Sequence, residues 1–215
     1  LFLWFFVPIL RVTIPGGSLY SGVRQIMEFV PAMVCIAGLG ALWIRQKVLL
    51  LMDNKVIFYV IFIIPFVFLV VDLKSIHPNQ NVYFNSFIGG LPGAVDKNVP
   101  YWGNSFGNAY LQVVDWLNKN APKNSKLALI QGTTVNIPNI TLREDLRFSN
   151  SFWSGMYKDG EYLTELTYND KKFYPYAWEY VEKMLYPVYE VKVDGVAIAK
   201  VWKNDLQYTK NEFKK

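Results

Sequence analysis

The chain has one cysteine and one histidine among its 215 residues. Cys35 has no second cysteine to pair with, so no disulfide forms within one chain and no cysteine-based metal site exists. His77 alone excludes a His-rich metal centre and a Ser-His-Asp triad built around another histidine. A block of like charge is also missing. The formal net charge of +5 is spread thinly, which excludes an electrostatic footprint for nucleic acid. Repeats and low-complexity segments are absent, and no local set of residues forms a catalytic constellation.

Long uncharged runs are present instead. Residues 56–71, from Val56 to Val71, carry no charged or amide side chain and are closed by Lys55 and Asp72. At about 1.5 Å per residue this run spans roughly 24 Å as a helix, close to a hydrocarbon core of about 30 Å. Residues 26–44 form a second run with a single charge, Glu28. Residues 1–10 form a third that begins without methionine and lacks the basic start and small-residue cleavage site of a signal peptide, so it reads as a truncated helix. The expected fold is a membrane α-helical segment followed by an extracytoplasmic α/β domain. The membrane part comprises two full transmembrane helices plus a truncated one. The expected divisions are 1–73 for the membrane helices, 74–204 for the domain and 205–215 for a flexible tail. Buried core helices of a soluble protein are the competing reading of such runs.

The link at residues 45–55 carries Arg45, Lys47 and Lys55 against Asp53. Positive charge favours the cytoplasmic side, which places everything after residue 73 outside. Pro31 and Pro65 fall inside the runs and predict kinks. Arg24 and Glu28 are one helical turn apart. They form a mutual ion pair, or else Arg24 meets an anionic ligand, for which a phosphate suits the guanidinium fork.

In the polar part, Asn104 and Ser105 predict a cap for a helix over residues 106–119, with Tyr110, Val113, Val114 and Leu117 as its apolar stripe. Residues 126–131, 143–148 and 162–168 are strand candidates, and residues 176–185 a helix after Pro175. Asp194-Gly195 between two β-rich runs predicts a hairpin. Glu161 and Glu165 could share a helical face, but their segment leans to strand, which argues against a paired-carboxylate site.

Three stretches carry a resemblance. Residues 19–25 (Leu-Tyr-Ser-Gly-Val-Arg-Gln), followed by Phe29-Val30-Pro31, resemble the "Tyr-Asp-Gly-x-Arg-His … Pro" segment of bacterial polytopic glycosyltransferases of the GT-C type. That family is related to protein O-mannosyltransferases and aminoarabinose transferases. His77-Pro78, Tyr83-Phe84-Asn85 and Gly89-Gly90 resemble its "His-Pro … Tyr-Phe-Asn … Gly-Gly", and residues 101–105 (Tyr-Trp-Gly-Asn-Ser) its "Asp-Tyr-Trp-Gly-x-Ser". Order and spacing agree across roughly residues 19–120. Ser21, Gln25 and Glu28 stand where the family has Asp, His and an apolar residue.

The resemblance implies an enzyme of the plasma membrane, part of a longer multi-pass chain. It would move a sugar from a polyprenyl-phosphate donor to a glycan, lipid or protein acceptor on the outer face. The catalytic base is then expected upstream, with none in this chain, so the fragment alone is inactive. Arg24, Tyr20 and Gln25 would bind the donor phosphate. His77, Tyr101 and Trp102 are candidate sugar or acceptor contacts, against the plainer readings of His77 as a turn residue and of the two aromatics as packing. No metal site is expected within the chain. Membrane lipid and the lipid-linked sugar are the expected partners, nucleic acid is not, and a need for divalent metal is left open. A membrane-anchored binding or assembly module without catalysis is the alternative, and a transporter or channel piece a weaker third.

Overall fold

The computed structural model describes residues 1–14, 26–51, 55–105, 107–130, 134–167 and 175–214, without the side chains of residues 51, 55 and 175. It divides into two compact units, Leu1–Val70 and Val71–Lys215. The expected division after residue 73 falls three residues later in the chain.

The first unit is helical. Helix α1 is Phe2–Thr13, α2 is Phe29–Leu51 and α3 is Lys55–Ser75, whose last turn belongs to the second unit. Two stretches, Phe29–Leu50 and Val56–Ser75, are long and apolar enough to cross a membrane, with mean hydropathies of 1.5 and 2.9. Their apolar side chains point outward; Phe68, for example, is 67% exposed. Such display is costly in water and costs nothing in lipid. The link expected at residues 45–55 is mostly helical, because Arg45 to Leu51 continue α2. These residues, three of them leucine and none glycine or proline, are mostly good helix formers. Pro31 is the third residue of α2, in the first turn, where its missing N–H breaks no helical bond. Of Pro31 and Pro65, only Pro65 lies in a helix interior as expected, and Pro8 lies inside α1 as well. Helix α1 packs on α2, with the Phe5 and Phe29 rings edge to face at 5.8 Å.

The second unit is a mixed five-stranded sheet with a helix on each face. Its strands are β1 (Lys126–Leu129), β2 (Arg147–Phe148), β3 (Tyr162–Leu166), β4 (Pro187–Val193) and β5 (Val196–Lys203). The order is β2-β1-β3-β5-β4; β1 is parallel to β2 and β3, and β5 is antiparallel to β3 and β4. Side chains alternate between faces with period two. Leu127, Leu129, Tyr162, Ala199 and Val201 meet α5 (Ala109–Asn120). Ala128, Ile130, Leu163 and Trp202 meet α6 (Pro175–Met184). The predicted stripe of α5 is buried, with Val113 and Val114 fully inaccessible. The helix starts at Ala109 rather than 106. Asn108 makes no side-chain cap, and the Ser105 hydroxyl accepts from Ala109 N–H at 3.3 Å. The predicted hairpin forms: Asp194 (φ 48°) and Gly195 (φ 79°) take the two left-handed positions of its turn.

Two further sequence expectations are modified. The strand expected over residues 143–148 shortens to Arg147–Phe148, because Arg143 is used elsewhere. Its guanidinium donates to the carbonyls of Asn118, Ala121 and Pro122 (2.7, 2.9 and 3.2 Å) at the C-terminal end of α5, where carbonyls lack helical partners. It also forks onto Asp145 at 2.5 and 3.1 Å. The tail expected to fray from residue 205 is docked: Thr209 is buried and bridges to Leu185, and Lys210 donates to the carbonyls of Met184 and Glu182. Those are again free carbonyls at a helix end.

The Arg143 fork, with the Asn124 N–H, holds the Asp145 carboxyl down to about 2, from an ordinary 3.8. A depressed folded-state value adds stability above the unfolded value and loses it as pH falls toward the folded one. Urea midpoints of the full chain should therefore drop between about pH 4 and 2, and this limb should flatten in Asp145→Asn. Parallel profiles for the two proteins would discount the fork.

Candidate functional site

Where α3 ends, the chain must satisfy the helix's last carbonyls and turn. The Ser75 hydroxyl donates back to the Asp72 carbonyl at 2.7 Å, and Gln80 Nε2 reaches the Leu73 carbonyl at 3.3 Å. Gln80 Nε2 also lies 2.8 Å from His77 Nδ1. Asn79, 3% exposed, accepts from Gln112 Nε2 (3.0 Å) and Asn108 Nδ2 (3.4 Å). Asn108 Nδ2 donates to the Pro78 carbonyl at 2.7 Å, and Asn81 Nδ2 donates to the Ser105 carbonyl. Segments 77–85 and 101–112 are thereby joined into one amide collar, in which buried polar groups are paired as burial demands.

Beside the collar is a cleft of about 280 Å³ lined by Asp72, Ser75, Ile76, Tyr83, Phe84, Ser86, Gly89, Gly90 and Asp194. Its floor explains the residue types there. Asn85 Oδ1 accepts from Ile88 N–H at 3.3 Å, and Gly90 N–H bonds the Asn85 carbonyl at 3.1 Å. Gly89 (φ 95°) and Gly90 (φ 66°) are left-handed, a conformation glycine takes without penalty. They start the short helix α4 (Gly90–Asp96). A Cβ on Gly93 would lie 1.9 Å from the Ile88 carbonyl oxygen, so only glycine fits there. The hairpin tip closes the cleft: a Cβ on Gly90 would lie 3.9 Å from Asp194 Oδ2.

Of the residues predicted from sequence, Arg24, Tyr20 and Gln25 lie outside the described residues. Glu28, expected to face Arg24, has its carboxylate 3.4 Å from Arg11 Nη2. His77 is exposed at the collar. Tyr101 is 57% exposed with φ 57°, and Trp102 is half-buried against the core on the α5 side. None of these three lines the cleft. Asp72 and Asp194 do, and sequence reasoning missed both. Asp72 was read as the end of an apolar run and Asp194 as a turn residue, and neither reading hinted that they meet.

Glu161 and Glu165 are both buried, at 1% and 2% exposure. They lie four strand positions apart, about 13 Å along an extended chain, too far to act on one bond. Glu161 Oε1 accepts from Ser154 N–H, Ser154 Oγ and Asn204 Nδ2 (2.9, 2.7 and 2.8 Å). Tyr180 donates to Asn204 Oδ1 at 2.6 Å, and burial, aided by the Glu161 charge, pushes its phenol up to about 12. This network ties residues 154–155 to the sheet. Among the described residues, no group of three or more His, Cys, Asp or Glu side chains could hold a metal ion.

Compared with family models, curated proteins and solved structures, the chain has no match.

Proposed function

We propose that the chain is the C-terminal part of an integral-membrane glycosyltransferase that moves a sugar from a polyprenyl-phosphate donor to an acceptor on the outer face of the plasma membrane. The observation that carries this reading is the amide collar. Two of the three stretches that resemble the GT-C family, residues 77–90 and 101–105, are held in one structure just after α3 by Asn79, Asn81, Ser105, Asn108 and Gln112. A shared structural role supports treating these two stretches as one signature rather than two coincidences. On this reading Arg24, with Tyr20 and Gln25, holds the donor phosphate, and the base comes from the longer chain. The test is sugar transfer from a radiolabelled polyprenyl-phosphate donor by that longer chain in micelles, with and without Arg24.

The acidic cleft gives some support to the second reading, a membrane-anchored binding module, because a binding site confined to the domain needs no catalysis. Both readings put residues 74–215 outside the cytoplasm. Cysteines at Ile140 and Tyr157, which are 97% and 90% exposed, in a Cys35→Ser background, should react with an impermeant thiol reagent on intact cells. Labelling only after lysis would reverse the topology.

A further inference from the structure

The cleft at the end of α3 has a lining that selects its occupant. It carries two carboxylates, Asp72 and Asp194, three hydroxyls, Ser75, Ser86 and Tyr83, and no basic side chain. Among the described residues neither carboxylate has an ion pair or a side-chain hydrogen bond. Lys97 Nζ donates to the Ile88 carbonyl at 3.2 Å and Lys192 pairs with Glu190 at 2.7 Å, while Lys74, two positions from Asp72, is exposed and lies outside the lining. Two uncompensated carboxylates repel an anion, so a phosphate is a poor occupant. No group of three or more His, Cys, Asp or Glu side chains that could hold a metal ion gathers there among the described residues.

A ring bearing hydroxyl groups fits the lining better. Ionised carboxylates are pure acceptors, and hydrogen bonds from hydroxyls to them are the strong, charge-assisted kind. Tyr83 and Phe84 offer aromatic surface to the C–H face of such a ring. At about 280 Å³ the space is at the small end for ligand pockets, suited to a single ring. Phe87, in the turn that forms the rim, is 97% exposed. Its exposed ring offers a stacking face for a second ring.

We propose that this cleft binds a neutral glycosyl unit, with Asp72 and Asp194 accepting its hydroxyls. The inference deepens the transferase reading by assigning a place to the acceptor glycan. It rests on that reading for its role and on the cleft alone for its chemistry.

The full chain, in a detergent without a sugar headgroup, would be titrated with the methyl glycosides of glucose, galactose, mannose and N-acetylglucosamine. Binding would be read by saturation-transfer NMR and calorimetry. At least one glycoside should bind, and Asp72→Asn with Asp194→Asn should weaken it at least tenfold, while inorganic phosphate should not compete. Both changes keep side-chain size, and asparagine tolerates the left-handed turn position of Asp194, so the fold should survive. Phe87→Ala should weaken an oligosaccharide of the same sugar more than the monosaccharide. Binding of none of the four, equal binding by the double variant, or competition by phosphate would overturn the proposal. Glycoside binding to this chain, with no sugar transfer by the longer chain that contains it, would sink the transferase reading and leave the cleft. Transfer that persists in the longer chain carrying both substitutions, with no glycoside binding to either protein, would sink the cleft and leave the transferase.

Discussion

Trp202→Ala should unfold the second unit more readily than any other single truncation in its sheet. Trp202 has no solvent exposure and is the largest of the fully buried side chains. It stands on β5 opposite Leu163 of β3, on the face covered by α6, among Ala128, Ile130, Tyr180, Val181 and Leu185. Truncating a buried tryptophan costs about 3–5 kcal/mol, through lost burial and the cavity left behind. Against a typical total of about 5–15 kcal/mol that is a large fraction. A domain of this size should lose on the order of 10 °C in midpoint. The measurement is near-UV circular dichroism of the full chain in micelles, followed with temperature. Trp202→Phe should behave differently. The indole N–H is buried without a partner among the described residues, so its removal relieves a desolvated donor while a ring is kept. The phenylalanine protein should melt much nearer the original than the alanine protein does. An unchanged midpoint in Trp202→Ala would mean that this face is not packed as described.

What could be read from the sequence, and what could not, follows from the range of the interactions. The stripe of α5, the Asp194-Gly195 turn and the two long apolar runs depend on neighbours within a few positions, and period and turn chemistry report them. Arg143 shows the limit. Its strand-like neighbourhood is overridden by carbonyls more than twenty positions earlier, which chain-local reasoning cannot see. The tail is similar, since Lys210 finds its acceptors on α6. Lys-rich terminal composition suggests fraying, but composition does not register a free helix end waiting to be covered. The cleft was hidden most fully. Asp72 and Asp194 are 122 positions apart, and each had an adequate local explanation. By contrast, the Gly89-Gly90 pair noted by resemblance has a local cause, because two left-handed positions in succession call for glycine.

Arg24→Ala should cost the longer chain roughly ten- to hundred-fold in sugar transfer. A charged hydrogen bond is worth about 1.5–3 kcal/mol, and each 1.36 kcal/mol is a factor of about ten in rate. The loss is expected in the rate of transfer, because a guanidinium beside the departing phosphate stabilises charge that grows along the reaction. Arg24→Lys should recover only part of it, since an ammonium lacks the planar fork that matches two phosphate oxygens. The competing account is that Arg24 serves only to pair with Glu28. Glu28 lies 3.4 Å from Arg11, with both side chains more than half exposed. Exposed ion pairs contribute little, about 0–1 kcal/mol, so on the phosphate-binding account Glu28→Gln should leave transfer nearly unchanged. If pairing is what matters, Glu28→Gln should instead be as damaging as Arg24→Gln, and exchanging the two charges should restore transfer. If phosphate binding matters, the exchanged protein should stay inactive, because a glutamate placed at position 24 repels the donor. Full transfer by a folded Arg24→Ala protein would end the phosphate-binding role of Arg24.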